Sequence, residues 1–155
     1  MTSDLNQRSS DELTRARSVQ QQISQKEFEI KLVDINNMHL SSQDASTYFY
    51  NQQRKQLLET EISNLKMQRD NYINSAISYA LTFAERELNE RSTFSHASLL
   101  LSNIRSFLTI QNIRFTVSLP VVLKMSLLNS RLQRSIGHAS LKHELMNLKM
   151  QLQIS

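Results

Sequence analysis

The chain has 155 residues and a mass of 18.0 kDa, room for one domain with a substantial core but not for two large ones. A single Gly and a single Pro remove the supply of positive-φ residues on which tight hairpins and phosphate loops depend. That excludes a β-sandwich, a doubly wound nucleotide fold, a P-loop and a nucleophile elbow, and zero Cys excludes disulfides and thiolate chemistry. The remaining class is all-α: a long antiparallel helical hairpin, coiled-coil-like, followed by a smaller helical cluster.

In chain order, residues 1–9 are expected to form a flexible N-terminus. Met1 to Asn6 has neither a basic n-region nor an apolar h-region, so no secretory signal is expected. Ser9 and Glu12 fit a capping box that opens a helix over about residues 10–38. Within it Ala16, Val19, Ile23, Lys26, Ile30, Val33, Asn37 and Leu40 alternate spacings of three and four, the coiled-coil period with two polar interruptions. Ser41 and Asp44 signal a second start.

No Gly or Pro interrupts residues 42–91, where a second stripe runs through Leu58, Ile62, Leu65, Arg69, Tyr72, Ala76, Tyr79 and Phe83. As one helix this segment reaches about 75 Å, so an elongated molecule is expected. Folding at Leu40–Ser42 sets Ile23 against Leu58, Val19 against Ile62, and Ala16 against Leu65. The same register sets Lys26 against Lys55 and Ile30 against Asn51, so the middle of the hairpin is expected to be weak, or to be completed by another chain. Ile73, Ile77, Ala80, Ala84 and Leu88 add a second apolar stripe to the later half.

Residues 92–97 read as a polar turn. Over 98–119, Leu100, Ile104, Phe107, Leu108 and Phe115 suit a helix, whereas Ile113, Phe115, Val117 and Leu119 alternate as a strand would. With no partner strand elsewhere, helix is the expectation, ended by Pro120. Val121, Met125, Leu128 and Leu132 mark a further helix that Gly137 terminates. Leu141, Leu145, Leu148 and Leu152 form a last seam. The 98–155 segment is expected to pack on the 10–91 hairpin.

Charge is uneven along the chain. Residues 1–45 carry five Lys/Arg against seven Asp/Glu, 46–97 six against six, and 98–155 seven against Glu144 alone. Lys124, Arg131, His138, Lys142 and Lys149 trace one face if the helix bends only slightly at Gly137, with Arg134 beside them and Arg105 and Arg114 upstream. Such a face suits nucleic acid or an acidic protein, and equally the acidic first helix of the same chain. A membrane surface is disfavoured, because a bundle would bury the same apolar positions, and no apolar run reaches the ~18 residues of a spanning helix.

Chemistry-bearing constellations are weak. His138 and His143 are five apart and do not share a helix face, and His39 and His96 fall near helix ends. Ser140, His143 and Glu144 lie at i, i+3 and i+4 but lack a Gly-containing oxyanion turn nearby. The pairs Glu27/Glu29, Glu59/Glu61 and Glu85/Glu87 read as solvated surface. The expectation is a non-enzymatic protein without cofactor or metal, intracellular (cytoplasmic or nuclear), that oligomerises or adapts through helix–helix contacts with itself or another helical protein. Its pairing residues are Val19, Ile23, Ile30, Val33, Leu58, Ile62, Leu65, Leu141, Leu145 and Leu148. The alternative is a helical RNA- or DNA-binding protein that uses Lys124, Arg131, Arg134, Lys142 and Lys149.

Overall fold

The computed structural model describes residues 2–90 and 96–154, and within these every regular element is an α-helix. They are α1 (Thr2–Met38), α2 (Ala45–Asn89), α3 (His96–Ile110), α4 (Leu119–Gln133) and α5 (Ala139–Gln151). The long helices α1 and α2 pack together as a hairpin, and a smaller helical cluster follows, so the fold is all-α. Most of the expected 92–97 turn lies outside the described residues, and its last two, His96 and Ala97, already belong to α3.

The described chain divides into two compact units: Met1–Arg15 with Asp70–Ser155, and Ala16–Arg69. The division cuts both long helices instead of separating the hairpin from the C-terminal segment.

In the larger unit, α2 contributes Ile73, Ala76, Ile77, Ala80, Leu81 and Ala84, all fully buried. Alanines at 76, 80 and 84 recur about one turn apart along this buried face. The same unit buries Leu101, Ile104 and Leu108 of α3, Met125 and Leu128 of α4, and the seam Leu141, Leu145 and Leu148 of α5. Leu5 and Leu13 of α1 complete this core. Ser9 is not an N-cap: α1 starts earlier, across the residues expected to precede it, and the buried Ser9 hydroxyl donates to the Ala76 carbonyl at 2.8 Å.

Residues 111–118 are neither helix nor strand. α3 stops at Ile110 because Asn112 takes a left-handed conformation (φ 50°). Its N–H then bonds the Thr109 carbonyl at 3.2 Å, and the Ile113 N–H bonds the Leu108 carbonyl at 2.9 Å. This is the Schellman closure, with Asn replacing the usual Gly. The chain then runs extended, and one amide satisfies it: Asn74 donates to the Thr116 carbonyl (3.2 Å) and accepts from the Ser118 N–H (2.9 Å). Pro120 sits in the first turn of α4, where a missing N–H costs nothing. α4 also ends before Gly137. Its last turn tightens to bonds from Arg134 and Ser135 back to Arg131 and Leu132, and Gly137 and His138 (φ 93° and 59°) then form the corner into α5.

Candidate functional site

The smaller unit, Ala16–Arg69, is a two-helix hairpin closed by a turn over His39–Asp44. In the turn the Asp44 carboxylate accepts from both the N–H and the hydroxyl of Ser41, and the Asp44 carbonyl takes the first helical bond, from Tyr48. The start signal at Ser41 therefore delivers α2 a few residues later than expected.

The seam contains the expected side chains. Val19, Ile23, Val33, Leu58 and Ile62 are buried, and Ile30 and Leu65 half-buried. Its register is different. Arg69 donates to Gln20 at 2.8 Å, Lys26 to Glu61 at 2.6 Å, Lys55 to Asp34 at 2.9 Å, and Asn51 to Asn37 at 2.8 Å. Relative to the expected pairing, each partner lies about one heptad further along α2, and a heptad shift rotates a helix by only ~20°. Either register presents the same stripes. The charges separate them: the observed one gives each lysine an acid, whereas the other sets Lys26 on Lys55.

The Glu61 carboxylate holds the Lys26 ammonium above the ordinary lysine range, and Asp34 does the same for Lys55. Arg54 adds an exposed contact to Glu29 at 3.8 Å. The middle of the hairpin is thus closed within the chain, apart from the Asn37 Nδ2, which is buried without a partner among the described residues.

On the outside of this unit the composition inverts. Phe28, Leu32, Ile35 and Met38 of α1 are at least half exposed, as are Tyr48, Phe49, Tyr50, Leu57 and Met67 of α2. Between the helices an open groove is lined by Glu29, Leu32, Val33, Asn36, Asn51 and Arg54. The expected seam does not include this surface, although Phe28, Leu32 and Ile35 carry the same spacing of four and three on another side of α1.

The basic residues are spread over separate elements. Lys124 points inward and donates to the Ser78 and Thr82 hydroxyls of α2 at 2.7 and 3.0 Å. Arg131 donates to Asn89, Arg134 to the Ser130 carbonyl, and Lys142 to the Ser135 carbonyl. Arg105 pairs with Glu144 at 3.2 Å. Among the described residues the Arg114, His138 and Lys149 side chains of this basic set lack a bonded partner. Because α4 and α5 are separate helices with a corner at Gly137–His138, the expected continuous stripe does not form on one helix.

Of the acidic pairs, Glu87 is not solvated. It is buried and accepts the N–H groups of His96 (2.9 Å) and Ala97 (2.8 Å), the unsatisfied donors of α3's first turn. Glu144 is committed to Arg105, while His143 bonds Asn147 at 3.0 Å. Among the described residues no cluster of three or more His, Asp or Glu is placed to hold a metal ion, and no helix is long and apolar enough to cross a membrane. Comparison with family models, curated proteins and solved structures finds no match for this chain.

Proposed function

We propose that the protein is a non-enzymatic helical subunit that oligomerises or joins partners through helix–helix contacts, made by the outer surface of the Ala16–Arg69 hairpin. One observation carries this reading. Among the described residues this unit exposes nine large apolar side chains and buries six apolar residues, whereas the larger unit exposes eight and buries 23. Exposed apolar surface on a helical hairpin is a place where further helices dock.

The basic segment supports the alternative, an anionic partner such as nucleic acid or an acidic protein, by its seven cations against one acid. That alternative weighs less, because four of its five key residues are bonded within the chain.

The test is the native size of the tagged full-length chain in extract, beside the variant Leu32→Glu/Leu57→Glu. Both positions are exposed, so the variant should keep its helicity and stability to within about 0.5 kcal/mol. The expected result is a large assembly for the unaltered chain and release of the variant from it. A lone chain in both cases overturns the proposal.

A further inference from the structure

The outer surface of α1 carries a more specific message than exposure alone. Phe28 (60% exposed), Leu32 (50%) and Ile35 (51%) are spaced by four and three residues. At 3.6 residues per turn they lie about 180° around α1 from Val19, Ile23, Ile30 and Val33. One face of α1 therefore packs on α2 and the far side offers a second seam, whose Leu32 also borders the open groove between the helices.

Flanking charges indicate what fills it. Glu27 and Lys31 stand on one edge of the stripe, four residues apart and both exposed. We propose that this face pairs antiparallel with the same face of a second copy of the chain, a deepening that rests on the helix–helix reading above. A two-fold axis near residues 29–30 sets Glu27 against Lys31 of the second copy and Lys31 against Glu27 of the second copy. The same axis lays Phe28 over Leu32 in both directions. Reciprocal contacts of this kind define an isologous interface.

Competing arrangements forfeit these ion pairs. A parallel pair carries the two Glu27–Lys31 edges to opposite sides of the seam, so neither pair forms. An antiparallel pair shifted to lay Phe28 on Ile35 brings the two Lys31 ammonium groups together. Net charge agrees with the location: residues 16–69 hold seven Lys/Arg against six Asp/Glu, so two hairpins barely repel, whereas two copies of 98–155 carry +6 each. Three half-exposed side chains cover less than the ~800 Å² per partner of a standard interface, so the pair is a reversible, micromolar one.

Sedimentation of the purified full-length chain from about 5 to 300 μM tests this, with circular dichroism on every variant. The expected result is a monomer–dimer equilibrium that weakens at least tenfold in Leu32→Glu, in Glu27→Lys and in Lys31→Glu. The double exchange Glu27→Lys/Lys31→Glu should restore pairing, because it rebuilds both ion pairs with the charges reversed. A monomer throughout, or a dimer indifferent to all four variants, overturns the self-pairing. The broader reading falls separately, on the assembly size in extract.

Discussion

Lys26 and Lys55 each donate to a carboxylate on the facing helix, and each ammonium is held above the ordinary value of 10.5 by that bond, Glu61 for the first and Asp34 for the second. Burial opposes the shift in both cases and is outweighed. A base whose folded value is raised contributes stability that is fully present below its unfolded value and is lost as pH rises through the folded one. The hairpin should therefore keep this contribution up to about pH 10 and lose it above 10.5. Urea melts of the unaltered chain and of Lys26→Met/Lys55→Met should differ by a constant margin between pH 7 and 10, and the margin should shrink by pH 11.5. An unchanging margin over the whole range would show that the two bonds contribute nothing through charge. Glu87 illustrates a carboxylate used differently. Buried at the start of α3, it supplies two N–H groups with an acceptor at the helix end where negative charge is favoured.

At the scale of elements, the stop of α3 depends on one residue. Asn112 holds φ 50°, a conformation that a β-branched residue resists by about 1–2 kcal/mol and that Gly enters freely. Asn112→Val should lower the stability of the larger unit by about that amount, and Asn112→Gly should leave it equal or slightly raised; denaturant midpoints at constant m decide. Equal loss in both variants would mean that the Asn side chain, and not its backbone, makes the turn. This stop was within reach of the sequence, since Asn is the commonest non-Gly residue in that conformation, but the apolar face continuing to Phe115 concealed it. The alternation from Ile113 to Val117 did report a physical feature. Ile113 is buried and Phe115 and Val117 half-buried, with Arg114 and Thr116 exposed, in an extended run bonded by the Asn74 amide instead of a strand. A side chain 42 to 44 residues away leaves no local pattern. The long helices were legible for the opposite reason, because period and lack of breakers are local properties. Their register was not, since a heptad shift preserves both stripes and only the acids opposite Lys26 and Lys55 discriminate.

At the scale of the whole chain, the two units differ in what holds them. Among the described residues, the Ala16–Arg69 hairpin buries Ala16, Val19, Ile23, Val33, Leu58 and Ile62, while the larger unit buries 23 apolar residues in fewer than twice as many positions. Buried apolar area contributes about 25 cal/mol per Å², so the larger unit has the greater stabilisation per residue. The hairpin seam is also interrupted by polar layers at Gln20–Arg69, Lys26–Glu61 and Asn37–Asn51. The last leaves the Asn37 Nδ2 buried without a partner, a defect that costs on the order of 1–3 kcal/mol. Polar layers of this kind fix register at the expense of stability, and few apolar contacts per residue lower the free energy of local opening. Native-state hydrogen exchange at low micromolar concentration should therefore show amides of residues 19–33 and 58–65 opening at least tenfold more readily than those of 73–84 and 100–108. Asn37→Leu/Asn51→Leu should raise protection in the first set and leave the second unchanged, because the substituted layer lies wholly within the hairpin. Equal protection across both sets in the unaltered chain would mean that α1 and α2 open as single units, and that the division between Arg15 and Ala16 has no energetic counterpart.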